Sequence, residues 1–207
     1  MFFKFFAGVP MDEMDTFPLL PLGRWLLMTG IYLLMISFHF DISRQNRRFA
    51  MVRYSRVLRW WRIHFLKNLF DGVLAAIIFL GVFKIIELLV LQKSMESLKE
   101  IFVVSVLWTV HAAVLSAGFL FLELLNIRKI IPGAILLFEG FTFLGGFRLK
   151  EIAKFMFGSW GMYVQSNLYE DRYGFPVISV ILIQAAIIAG LFRLGGYLLK
   201  GREMDGV

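Results

Sequence analysis

The chain has 207 residues, 59% of them hydrophobic and 18% charged, with a mean hydropathy of +0.74. A soluble domain carries about 45 to 50% apolar and about 25% charged residues, so composition excludes an ordinary globular domain and points to a membrane protein. The lack of cysteine excludes a disulfide scaffold, thiolate metal sites and cysteine nucleophiles; the 22 basic residues against 15 acidic ones, a net of +7, ask which loops are cytoplasmic before they suggest nucleic acid.

Met1 to Val9, MFFKFFAGV, is too short for an ordinary signal peptide, and the acidic MDEMD after it is unlike a cleavage region, so it is read as part of the mature chain. Five apolar blocks follow: Leu19 to Phe40 behind the helix-start prolines Pro18 and Pro21, Leu69 to Leu91, Ile101 to Leu124, Ile130 to Phe147 with Pro132 near its start, and Pro176 to Leu199. Each is roughly 18 to 24 residues, enough to cross about 30 Å of hydrocarbon as a helix, and none alternates with period two. The expected fold is an all-α polytopic membrane protein, one transmembrane domain over 1–207 with about five spans.

Between the first two blocks, Arg44, Arg47, Arg48, Arg53, Arg56, Arg59, Arg62 and Lys67 face the single acid Asp41. The bias of basic residues makes this loop cytoplasmic; alternation then places Arg128, Lys129, Lys200 and Arg202 inside and gives an outside N-terminus and an inside C-terminus in the plasma membrane. The core of the loop, 43–67, reads as an amphipathic helix with an apolar stripe of Tyr54, Leu58, Trp61 and Phe65. It can lie on anionic lipid or dock on a cytoplasmic partner through Arg53, Arg56, Arg59, Trp60, Trp61 and Arg62. The three-residue spacing of those arginines is also that of a voltage sensor, but the run adjoins a span instead of lying within one.

Further along, Lys84 and Glu87 are three apart on one helix, a structural ion pair. His111 and Glu139 fall near the middles of their blocks and share a depth close to the midplane, where an ionisable group is suspected of lining a pathway or a moving interface. Gly145 and Gly146 can break the fourth span; Gly190, Gly195 and Gly196 can let the fifth approach a neighbour. The outer segment 148–175 has helical apolar spacing through Phe157, interrupted by Gly158 and Gly161, and reads as a surface helix, a re-entrant hairpin or an aromatic belt. No phosphate loop, HExxH or GxSxG motif occurs, and His39, His64 and His111 are scattered, so no catalytic set and no metal site emerge.

The order of these parts, with PLGRWLLMTGIYLLMIS followed by VRYSRVLRWWRIHFLKNLF, resembles the permease subunits of small six-span bacterial ABC exporters of the Gram-positive antimicrobial-peptide export and immunity kind. The resemblance implies a cytoplasmic helix docked on a separate ATP-binding subunit, which would hold ATP and Mg, a second permease chain, identical or paralogous, and re-entrant helices before the last span. It implies no cofactor in this chain and an amphipathic peptide or lipid-like substrate. The chain departs from the pattern in lacking a recognisable first span. A non-transporting membrane immunity or scaffold protein is the alternative.

Overall fold

The computed structural model describes residues 2–9, 18–53, 57–91, 97–125, 130–169 and 174–204. These form six α-helices: α1 (Phe2–Phe6), α2 (Leu19–Arg53), α3 (Val57–Leu91), α4 (Leu98–Glu123), α5 (Ile131–Arg148) and α6 (Val177–Met204), with three short 3-10 turns between α5 and α6. Among the described residues there is no strand, only one isolated bridge between Ser166 and Phe175. The fold is all-α and polytopic.

Four helices are long and apolar enough to cross a membrane, over Leu19–Ile42, Val57–Val90, Leu98–Glu123 and Val177–Lys200. The remaining expected span is α5, whose 18 residues rise about 27 Å and include Glu139 and Arg148. Its second residue is Pro132, in the first turn, where a missing N–H costs nothing. Contrary to the expected break at Gly145 and Gly146, α5 runs through both. Gly146 instead lets the returning chain close in, its absent Cβ position lying 3.1 Å from the Ala153 Cα.

The central helix is α4. It begins at a capping box in which Ser97 accepts from the Glu100 N–H and Glu100 from that of Ser97. Of its span 56% is buried, against 11% for α6, which lies at the periphery. Small side chains at Ala112, Ala113, Ser116 and Ala117 let neighbours approach, as in other membrane helix contacts. The Tyr32 hydroxyl sits 2.8 Å from Ser116 Oγ and within reach of the Gly72 and Ala112 carbonyls, at 3.0 and 3.2 Å, so one phenol ties α2, α3 and α4. A Cβ on Gly72 would stand 2.5 Å from that serine oxygen.

The N-terminal residues are packed inside. Phe2 and Phe6 of α1 are buried, and the Phe6 ring meets Phe79, Phe83 and Trp108 edge-on at 5.2 to 5.7 Å. The Phe2 N–H donates to Glu87 Oε1 at 2.7 Å, and Glu87 also pairs with Lys84 as their spacing suggested. That pair is thus an anchor for α1.

The basic stretch is divided. Ser43 to Arg53 continues α2 and Val57 to Lys67 begins α3, each unbroken with the span it adjoins, and 54–56 lie outside the described residues. Its apolar stripe faces the same chain: Trp61 is 4% exposed, donates its indole N–H to the Phe192 carbonyl at 2.8 Å and packs on Gly195 of α6, while Phe65 stacks near Phe192 at 5.2 Å. Trp61 therefore offers no free indole N–H to a partner, because the Phe192 carbonyl takes it. Gly195 serves the close approach expected of it; Gly190 has nothing near its Cβ position.

The outer segment is mostly internal. Instead of an α-helix it forms 3-10 turns at Lys150–Phe155, Phe157–Ser159 and Tyr163–Gln165, and every residue from Gly158 to Ser166 is buried. Val164 donates to the Ala7 carbonyl at 3.0 Å and Gln165 Nε2 to that of Val9 at 3.2 Å, so the N-terminal stretch of chain closes over it. Gly8, at φ 97°, takes a backbone conformation that suits glycine, and Met162 fills the space a Cβ would need.

The charge bias predicts opposite sides for the basic loop and the outer segment. A single cysteine at Ser55 in this cysteine-free chain should resist an impermeant thiol reagent in intact cells, and one at the exposed Asn167 should react. Ser159 is unsuited as the outer probe, since it is buried with its hydroxyl on the Ala153 and Met156 carbonyls. Reversed labelling would invert the orientation.

Candidate functional site at the buried His111 and Glu139

Three helices converge on one carboxylate. Glu139 projects from the middle of α5 with 0% exposure; its Oε1 accepts the Trp25 indole N–H from α2 at 2.6 Å and lies 3.2 Å from His111 Nε2 on α4, itself 1% exposed. The two candidates singled out by depth are thus in contact. Trp25 escaped the sequence reading because a tryptophan early in an apolar block looks like part of an interfacial belt. Its depth, about one and a half turns into α2, was the available signal.

The outer segment seals this site. Phe157 lies over the His111 ring at 4.9 Å and 39°, and the Gly158 N–H donates to Thr142 Oγ1 at 2.9 Å. The two glycines that looked like helix interruptions are sites of close approach. A Cβ at Gly161 would meet His111 Cγ at 2.9 Å and Trp25 Cη2 at 3.0 Å, and one at Gly158 would meet the Phe143 nitrogen at 2.8 Å and crowd the Glu139 carbonyl. Only hydrogen side chains fit between this segment and the pair.

A lone charge with no water and no counter-charge costs several kcal/mol, so the 3.2 Å contact between the carboxyl and the imidazole stands in place of solvent for both groups. Glu139 Oε2 and His111 Nδ1 have no hydrogen-bond partner among the described residues. The pair therefore has further hydrogen-bonding capacity.

Beside the pair, α4, α5 and α6 leave an apolar recess of about 460 Å³ whose walls include Leu115, Ile135, Phe138 and Leu191 and whose outer end is closed by Phe157 and Trp160. The volume is that of an ordinary small-molecule pocket. The other site residues lie apart. Arg59 and Arg62 are exposed near the start of α3, Trp60 is half-buried, Arg56 lies outside the described residues, and so does the side chain of Arg53. Among the described residues no group of three or more His, Asp or Glu could hold a metal ion. No protein-family model, no curated protein and no solved structure matches the chain.

Gly161→Ala should force the outer segment away from His111 and Trp25. Overpacking of this kind costs about 1 to 3 kcal/mol, so the melting temperature in detergent should fall. A cysteine at Ser159, protected in the parent, should become reactive; unchanged protection would mean that the segment is held elsewhere.

Proposed function

We propose that this chain is the membrane subunit of an ATP-driven exporter that works with a separate ATP-binding subunit and a second permease chain. The observation that carries the proposal is the basic extension of α2 and α3. The apolar span of α2 ends at Ile42 while the helix continues to Arg53, about 16 Å further at 1.5 Å per residue, and α3 starts a similar distance before Leu69, where its uninterrupted apolar run begins in the sequence. Two helices that leave the bilayer together, carry nearly all the charge of the basic loop and stay continuous with their spans form a lever suited to an acidic partner. The chain has no phosphate-binding motif of its own, so ATP and Mg would be held by that partner.

An amphipathic peptide or lipid-like cargo is favoured over an ion by the apolar recess next to a single buried acid-base pair. The interior of one chain is filled by aromatic side chains such as Phe6, Phe79, Tyr32 and Trp108, so the pathway would run between two copies. That filled interior is also what supports the second reading, a non-transporting immunity or scaffold protein, which would need no ATPase.

Replacing Arg56 and Arg59 together with Gln tests the lever. It leaves enough basic residues in the loop to keep the orientation. Co-purification of the ATPase should fall about tenfold, about 0.7 kcal/mol per charge, within the range of exposed ion pairs. Retention of the partner at parental levels would remove the docking role, and absence of any ATPase from the purified parent complex would favour the scaffold reading.

The pair is tested separately. Glu139→Gln keeps the shape and can still accept from Trp25, but it cannot exchange a proton with His111. Assembly and expression should persist while transport falls about tenfold or more, about 1.4 kcal/mol of barrier. Unimpaired transport would leave Glu139 a purely structural group.

A further inference from the structure

At the end of the bundle where α2 and α3 meet, α3 and α6 leave a cleft of about 260 Å³. Its two walls are helical stripes: Leu58 and Arg62 on α3 face Arg193, Tyr197 and Lys200 on α6, each set spaced by three, four or seven residues and so on one face. Trp61 forms the floor. Because its N–H is already given to the Phe192 carbonyl, it presents only its ring to the cleft.

The rim is uniformly basic. Arg62, Arg193 and Lys200 are exposed, and among the described residues none of them pairs with an acid and no acidic residue lines the cleft. Three unpaired cations gathered on one concavity repel one another unless an anion joins them. Their depth says which anion. Lys200 closes the apolar span of α6, Arg62 stands about two turns before Leu69, where the uninterrupted apolar run of α3 begins in the sequence, and Tyr197 is an exposed aromatic of the kind that marks the headgroup layer. On the adjoining face of α6, about a quarter turn or more round from the cations, Leu194 and Leu198 are exposed, an apolar surface within the span.

We propose that this cleft binds the phosphate headgroup of an anionic phospholipid, with the cations on the phosphate, the glycerol region over Trp61 and Tyr197, and an acyl chain along Leu194 and Leu198. The depth selects a membrane lipid over a partner's carboxylates, because Tyr197 and Lys200 stand at the boundary of the α6 span, where headgroup phosphates lie. A phospholipid seated here bridges α3 and α6, reinforcing the Trp61 contact from the membrane side. The site is independent of the exporter reading and stands whether or not an ATPase binds the chain.

The test uses the full chain in neutral detergent, with native mass spectrometry of retained lipid. Phosphatidylglycerol should be retained over phosphatidylcholine, and inorganic phosphate should not displace it. Each of Arg62→Gln, Arg193→Gln and Lys200→Gln should lower retention about fivefold, and the triple variant about a hundredfold, as expected for about one charge contact apiece. Lys154→Gln, exposed on the outer segment and away from the cleft, should leave retention unchanged. The proposal is overturned if the triple variant retains the lipid, if Lys154→Gln reduces it equally, or if inorganic phosphate displaces it, which would make this a soluble-anion site. Loss of a co-purifying protein with lipid retention intact would equally overturn it, in favour of a protein-docking surface.

Discussion

A carboxylate with no exposed surface, in the middle of a helix that packs among membrane spans, has to find its hydrogen bonds within the protein. In hydrocarbon no water competes for the role, and an unpaired charge costs several kcal/mol. Glu139 finds them for Oε1 from Trp25 and His111, one residue from each of two other helices, while Oε2 has no partner among the described residues. This condition orders much of the fold. It sets the depth of α5 against α2 and α4, even though α5 has only 18 residues. The outer segment covers the pair, and two glycines let it come close enough.

The same condition recurs along the bundle. The Tyr32 hydroxyl on Ser116 and on the Gly72 and Ala112 carbonyls, Glu87 with Lys84 and the Phe2 N–H, and Trp61 on the Phe192 carbonyl are each a polar group satisfied across helices. Between these points the contacts are aromatic and aliphatic, and apolar packing alone discriminates weakly between registers when lipid is as apolar as the interior. The polar contacts specify register, and the packing of Phe6, Phe79, Phe83 and Trp108 around them supplies most of the cohesion.

The spans were legible because a soluble fold has little use for an uninterrupted apolar run of about 20 residues, whereas a bilayer requires one. Lys84 and Glu87 were legible because helical spacing alone brings them together. His111 and Glu139 could be matched in depth by counting residues from the ends of their blocks, although depth says nothing about azimuth, and the third member, Trp25, carries no charge to draw attention. What could not be read were relations set by tertiary packing. The stripe containing Trp61 is apolar whether it meets lipid, a partner or α6, and only the fold shows Gly195 beneath it. Gly158 and Gly161 carry the same local signal whether they end a helix or admit a neighbour. The first nine residues were too short to be a span, and nothing in their pattern revealed that Phe2, Phe6, Ala7 and Val9 are buried, with the Phe6 ring among Phe79, Phe83 and Trp108.

The two regions of greatest chemical interest are joined by rigid parts. α2 holds Trp25 and Tyr32 within the bundle and continues as the same helix into the basic extension; α3 holds Gly72 and Glu87 and begins there. A helix interior resists bending, and close-packed side chains do not compress, so a displacement of the extension passes inward as a tilt or a slide. The Trp61 contact ties the start of α3 to α6 through a hydrogen bond and a close fit over Gly195, while Trp25 on α2 makes the shorter of the two contacts on Glu139 Oε1. The basic extension and the buried carboxylate are therefore joined by one continuous helix, α2, with no intervening chain of contacts required.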